Sequence, residues 1–439
     1  MPIVFYIIVL SIALIDYITN KSIISPVFIF CAVWTFICTL AFLSLFNLKD
    51  YSIYAVILIL CGVVSFALGG FLARLIKSNN SNKLNYCDNR DDIQTSNNLP
   101  ELNMTFLNAV LALVCIGSFA SLYYSLNAFL DGYTYMVVRG SLLNYNDAQI
   151  IDNRIISYFI MYFVGPAQVV LLPLAILFTF NKTRKRFSLI VYLCVVSGII
   201  SSGGRITLLY SIAQMIAVAF YFKVNISKKA KRNIVIASIA LLIAIIILTN
   251  LRTRSGLWFS IYSYFSAPVV MLSEYMRVAD SMKIQTFGGA TLYPFMYIAN
   301  AVTDVLGMNI KYLNNLVYYV GLPQRQWIEL FPGRAYNAFC SMFYFFYLDF
   351  RYVGVIVVSF IYGGVTSYVY KKSFKERSQK YLLWYLLLLQ TIVASFTIWQ
   401  LGNTKFFVSI LILLVSGIKM KKEKPVSDPS RQKNAKKLH

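Results

Sequence analysis

The sequence predicts an all-α polytopic membrane protein of about eleven transmembrane helices, N-terminus outside, C-terminus inside, with one long outer loop. Three observations carry this. Hydrophobic residues make up 59% of the 439 positions and charged residues 13%, roughly half the charge of a soluble chain. Apolar runs of about 18–25 residues recur from end to end, the length that crosses ~30 Å of hydrocarbon, and they are too long and too uniform for barrel strands. The net charge of +23 is concentrated in short clusters between those runs, the arrangement that holds a loop on the cytoplasmic side.

The runs place helices near 2–18, 26–46, 53–73, 104–126, 155–180, 188–200, 206–222, 233–250, 352–370, 381–400 and 405–418. The first begins at Met1-Pro2 without a basic leader or a small-residue cleavage site, so it reads as a retained helix. The clusters Lys182–Arg186 and Lys228–Arg232 flank an apolar stretch interrupted only by Ser201-Ser202-Gly203-Gly204-Arg205. A single helix of that length would reach ~52 Å, so the chain crosses twice and turns at the glycines. The same reasoning between Lys380 and Lys419 puts a turn at Leu401-Gly402-Asn403-Thr404.

Working outward from these anchors divides the chain. Residues 1–250 hold the first eight helices, with a polar cytoplasmic linker over 77–103 and an outer loop over 127–154. A long outer loop fills 251–351, the last three helices 352–418, and a basic cytoplasmic tail 419–439. Within the long loop, Phe259–Met276 and Tyr336–Asp349 are apolar enough to be re-entrant or interfacial. Basic clusters beside apolar runs contact membrane lipids and give no footprint for nucleic acid.

Composition also narrows the chemistry. The only histidine is His439 in the tail, so His-dependent acyl transfer, Ser-His hydrolysis and His-ligated metal sites are not expected. The seven cysteines form no CxxC pair, and no metal or cofactor motif occurs. There is no phosphate-binding glycine loop, which disfavours a nucleotide-driven pump.

Arginines on the outer side remain. Arg205 follows Gly203-Gly204, where a guanidinium beside flexible backbone suits phosphate oxygens or, as simply, snorkels at the membrane border. Arg252 and Arg254 stand at the outer end of the next helix, in reach of a shared pocket or of lipid headgroups. Arg334 sits on the Pro332-Gly333 turn. Among the outer acids, Glu274 is spaced for an i,i+3 ion pair with Arg277, and Asp349 for capping the helix that follows. Either would serve as a general base only if it stood beside the arginines. Trp258, Tyr336 and Asn337 offer stacking and hydrogen bonds to a sugar, although aromatic belts are also usual at interfaces.

Several of these features together carry a resemblance. The short-helix hairpin bearing Ser202-Gly203-Gly204-Arg205-Ile206-Thr207, the late outer loop with Gly333-Arg334-Ala335-Tyr336-Asn337, and Phe343–Arg351 leading into the next helix resemble the Wzy-type repeat-unit polymerases of O-antigen and capsule synthesis, relatives of the O-antigen ligases. The resemblance implies a membrane glycosyltransferase of GT-C-like fold in the bacterial cytoplasmic (inner) membrane. It would join undecaprenyl-pyrophosphate-linked oligosaccharide units on the outer face and release undecaprenyl pyrophosphate, without cofactor or metal. A chain-length regulator is the implied partner. It assigns Arg205, Arg252, Arg254 and Arg334 to pyrophosphate, and Glu274 or Asp349 to the base; related ligases use a histidine in that loop, which this chain lacks. A lipid-linked oligosaccharide flippase is the alternative in another class, disfavoured by helices almost free of charge, Asp16 being the main exception. The ligase reading differs only in acceptor.

Overall fold

The computed structural model describes residues 2–76, 102–142, 150–151, 153–202, 205–222, 243 and 256–416, with backbone alone at 136, 202, 205 and 257. Among these the regular elements are all helices, except for one small β-hairpin. The helix expected at 233–250, the Gly203-Gly204 turn, the linker 77–101 and the tail lie outside the described residues.

The helices are α1 (Pro2–Asn20), α2 (Pro26–Phe42), α3 (Ile53–Leu75), α4 (Met104–Leu130), α5 (Tyr135–Leu142), α6 (Arg154–Phe180), α7 (Lys185–Ser202) and α8 (Arg205–Phe222). Then come α9 (Leu257–Ser281), α10 (Tyr293–Val305), α11 (Lys311–Arg325), the strands β1 (Ile328–Phe331) and β2 (Arg334–Tyr336), α12 (Ser341–Tyr370), α13 (Gln379–Val393) and α14 (Thr404–Val415). Five helices are long and apolar enough to cross a membrane: α1, α3, α4, α6 and the α12 segment; α2, most of α8 and α14 are shorter apolar helices.

Their starts are chemically marked. Pro26 opens α2 at its first turn, where a missing N–H costs nothing. Ser52, Asn103, Asn153 and Asn403 each turn a side-chain oxygen back onto an N–H of the helix they precede, satisfying donors the helix cannot pair itself. In α6 a π turn over Ile160–Val164 and Pro173 interrupt the regular ladder, as local widening and proline both do.

Two hydrophobic cores form. The first gathers α1, α2, α3, α9, α12 and the β-hairpin around Trp34, Phe66, Phe343 and Phe346. The second gathers α4, α6, α7, α8, α13 and α14 around Leu171, Leu177, Tyr385 and Leu386. At the centre of the first, α3 and α12 run parallel with almost no side chain between them. A Cβ on Gly69 would stand 1.9 Å from the Phe360 carbonyl oxygen, and one on Gly363 1.9 Å from that of Phe66. Small residues at such a seam let backbones touch, the main attraction open to helices in lipid.

Apart from Lys405, the described charged residues named here fall at two ends. The basic end carries Lys185, Arg186, Lys371, Lys372 and Lys375. There Asp16, fully buried, pairs with Arg74 and accepts from Asn20 Nδ2 at 3.0 Å. Lys371 Nζ crosses from α12 to cap the end of α3 through the carbonyls of Arg74 (3.1 Å) and Ile76 (2.5 Å). The far end carries the segment 257–351, which is more structured than a loop: it holds α9, α10, α11 and the hairpin.

α12 is not one straight rod. Phe350 (φ −144°, ψ 33°) and Arg351 (φ 56°, ψ −137°) break it. Residues 341–349, all buried, fold back against the leg that follows, so that the Phe346 carbonyl lies where a side chain on Gly354 would go. Of the apolar stretch Tyr336–Asp349, residues 341–349 thus form a buried arm that doubles back on the helix it leads into. The foot of the arm docks where the second core begins, Met342 N–H donating to Ser395 O at 2.7 Å.

Two short helices, α13 and α14, stand between Lys380 and Lys419 as expected, but α13 ends at Val393, a ten-residue connector, 394–403, leads to α14, and α14 packs chiefly on α6 rather than on α13. At 1.5 Å per residue the 12 residues of α14 rise only ~18 Å, well short of a ~30 Å crossing. Irregular backbone is tolerated at such depth only inside protein or along a cavity. Here Phe396, Trp399 and Gly402 are buried.

Candidate functional site

The far end is built on α9. Its apolar face, from Ala267 to Leu272 with Tyr275, is buried in the first core. The 43–52 turn is fastened to it twice: Leu45 N–H donates to the Tyr262 hydroxyl at 2.7 Å and Ser52 N–H to Ser273 Oγ at 2.8 Å. A third bond, Lys49 N–H to Leu330 O at 2.8 Å, fastens the same turn to the hairpin. Turn, helix and hairpin thus form one cap.

Arg334 stands on that cap. It follows Gly333, whose φ of +69° no L side chain adopts easily, at the reversal between β1 and β2. Its guanidinium lies 4.2 Å over the Phe259 ring, its side chain is exposed, and no carboxylate pairs with it among the described residues. Trp258, next to Phe259, is 79% exposed. Tyr336 shares the hairpin, half buried with its ring 5.7 Å from Phe331, and Asn337 Nδ2 donates to Gln324 O at 2.9 Å. The fold therefore sets Arg334 on Phe259, the neighbour of Trp258 in α9, with Tyr336 on the same hairpin as the arginine.

Glu274 lies at the other side of the same cap. Arg277 binds it at 2.9 Å, the i,i+3 pair, and Lys49 at 3.0 Å. Burial pushes its carboxyl upward, but the hydrogen bonds from Arg277 and Lys49 outweigh this and hold it below the usual range. It is an ionised acceptor and a weak base.

Asp349 is a correction. It was expected to cap a helix start or act as base; instead it sits inside α12, fully buried, before the break. Its Oδ1 accepts from Thr286 Oγ1 (2.6 Å), Gly288 N (2.9 Å) and Ala290 N (2.9 Å); its Oδ2 accepts from Thr291 N (2.8 Å) and Thr291 Oγ1 (2.5 Å). Five donors consume both oxygens, leaving no lone pair open to a substrate. The carboxylate instead shapes the 286–291 loop, which reaches the α13–α14 connector: Trp399 Nε1 donates to Thr291 O at 3.0 Å. Beside it, Asp280 takes Arg351 at 3.2 Å and the Tyr347 hydroxyl at 2.9 Å.

Arg205 opens α8, its side chain undescribed, and Arg252 and Arg254 lie outside the described residues. Sequence reasoning passed over Lys49, the Thr286–Thr291 cradle and Lys405. Lys405 had a legible signal, a lysine two residues after a capping asparagine in an otherwise apolar run. With Arg74 it also shows that the helices hold more charge than Asp16 alone. Among the described residues no group of three or more His, Cys, Asp or Glu could hold a metal.

Neither a family model, nor a curated protein, nor a solved structure matches this chain.

Proposed function

We propose that this chain is a membrane glycosyltransferase that joins undecaprenyl-pyrophosphate-linked oligosaccharide repeat units into O-antigen or capsular polysaccharide, on the outer face of a bacterial cytoplasmic membrane. The observation that carries the reading is the far-end cap, where an exposed arginine with no carboxylate partner among the described residues lies over Phe259, next in the chain to exposed Trp258, and shares a hairpin with half-buried Tyr336. Guanidinium for diphosphate and aromatic faces for sugar C–H groups are the two demands of such a substrate. The basic end, on this reading, faces the cytoplasm.

In the reaction the anomeric carbon–oxygen bond to the diphosphate breaks and a new bond forms to an acceptor hydroxyl oxygen. Negative charge grows on the leaving diphosphate, and a preorganised cation lowers that barrier. Arg334 is assigned this role, joined by Arg205, Arg252 and Arg254 as the resemblance implies. The acceptor proton leaves as the new bond forms. Asp349 is committed to its loop, and Glu274 to Arg277 and Lys49 at the other side of the cap from Arg334, so the acceptor proton is released to water at the outer face.

The test is polymer length in cells lacking the native gene and carrying variants of it. Arg334→Ala is expected to leave single repeat units on the surface, Arg334→Lys to restore short chains, and Trp258→Ala to shorten them. Full-length polymer from Arg334→Ala and Arg205→Ala would end the proposal. The flippase reading gains from one observation, a polar cavity holding Lys405 within the bundle. Gene deletion separates the readings: a lost polymerase leaves single units outside, a lost flippase traps them inside, and a lost ligase strands polymer on its carrier.

A further inference from the structure

In the second core a cavity of about 300 Å³ opens among α4, α6, α7 and α14. Its polar wall includes Ser121, Gln168, Gln400, Asn403 and Lys405, facing Val164 and Phe406 on the apolar side. Its depth follows from the helices that line it. Lys405 stands at the start of α14, whose other end, Ser416, bonds Asn103 at the start of α4 through Asn103 N–H to Ser416 O at 2.9 Å. Eleven residues of rise put Lys405 ~16 Å from that end, about halfway across a bilayer.

An ammonium group there is in the wrong place electrostatically. It lies in the first turn of a helix, where the exposed N–H groups already carry positive charge, and it lies at a depth where an unpaired cation is costly. No carboxylate reaches it among the described residues; its recorded neighbours are the Tyr162 ring at 5.9 Å and Asn403, whose Oδ1 caps the Lys405 N–H at 2.8 Å. Tyr162 in turn meets the Tyr297 hydroxyl from α10. A half-length helix beginning in mid-bundle, a lysine in its first turn and a polar cavity in front of both are the components of an anion site.

We propose that this cavity binds a phosphate ester, with Lys405 and the α14 N-terminus holding the phosphate and Gln168 and Gln400 meeting its oxygen-bearing substituent. The volume sits at the low end of the ~300–1,000 Å³ typical of small-ligand sites, so one headgroup enters and an oligosaccharide does not. The site is separate from the Arg334 cap and stands whether or not the chain is a polymerase.

The experiment measures binding to the purified full chain in detergent, with decyl phosphate, inorganic phosphate and uncharged decyl maltoside as probes. Decyl phosphate is expected to bind, with at least tenfold weaker affinity in Lys405→Gln and within threefold of wild type in Lys405→Arg. Binding of decyl phosphate alone assigns a lipid source; comparable binding of inorganic phosphate assigns a soluble one. Affinity in Lys405→Gln equal to wild type, or no preference over decyl maltoside, overturns the proposal. Should that variant not fold, amine-reactive labelling of Lys405 in the wild-type chain decides: at least fivefold slower labelling with decyl phosphate supports the site, and an unchanged rate removes it.

Discussion

Asp16 and Asp349 are both wholly buried, lie toward opposite ends of the α3–α12 pair, and are neutralised by opposite means. Asp16 is met by a charge. Arg74 pairs with it, yet Asp16 Oδ2 and Arg74 Nε and Nη1 have no hydrogen-bond partner among the described residues. Asp349 is met by geometry, five neutral donors from one loop that leave neither oxygen open. The first arrangement pairs two helices but specifies little else. The second fixes the path of a loop that no apolar core would hold. A buried carboxylate can thus be a fastener between helices or a template for backbone.

The comparison can be broken from either side, and the largest effect is expected at the template. Asp349→Ala orphans five donors, each costing about 1–3 kcal/mol when buried; a loss of several kcal/mol, seen as a collapsed thermal midpoint, is expected. Asp349→Asn keeps the shape but aims an NH2 at N–H groups and is expected to recover only part of it.

Asp16→Ala strands the Arg74 charge and is expected to cost about 3 kcal/mol. The double variant Asp16→Leu/Arg74→Met removes the need for pairing and is expected to regain most of that stability. No such rescue exists for Asp349, because three of its five donors are backbone N–H groups that no substitution removes. Equal rescue at both sites would erase the distinction.

Smaller still, Trp399→Phe deletes the bond to Thr291 O and is expected to lower stability by about 1 kcal/mol. The smallest effect belongs to Glu274. Its folded pKa is held below the unfolded value, so its contribution is complete above the ordinary glutamate pKa and is lost as pH falls through the folded one. The stability difference between wild type and Glu274→Gln, measured by thermal unfolding, should therefore shrink toward acid pH; a difference that grows would reverse the assignment.

The same contrast explains what was legible in the sequence. Apolar runs and caps are local, and α1, α3, α4 and α8 fall where the runs place them. The Glu274–Arg277 spacing is local too, and the pair forms. Asp349 read as a helix cap because its neighbours permit one, but its donors come from 58 to 63 positions away. α10 and α11 went unread because they are short amphipathic helices with polar faces inside what looked like a loop. The ten-residue connector was compressed to a four-residue turn for the opposite reason: buried Phe396 and Trp399 give irregular backbone the composition of a helix. Arg334 was legible as a cation on a turn; its platform, Phe259, lies too far along the chain to be inferred.

The glycine seam of α3 has a consequence for how the chain is made. Its partner, the leg of α12, leaves the ribosome only after nearly three hundred intervening residues, so α3 must wait in lipid with its smooth flank uncovered. Asp16 is already present on α1 by then, and it keeps Arg74 from facing hydrocarbon alone during the delay. A photo-crosslinking phenylalanine analogue at position 66 should accordingly capture Tyr362 in finished chains and never in nascent ones halted before α12.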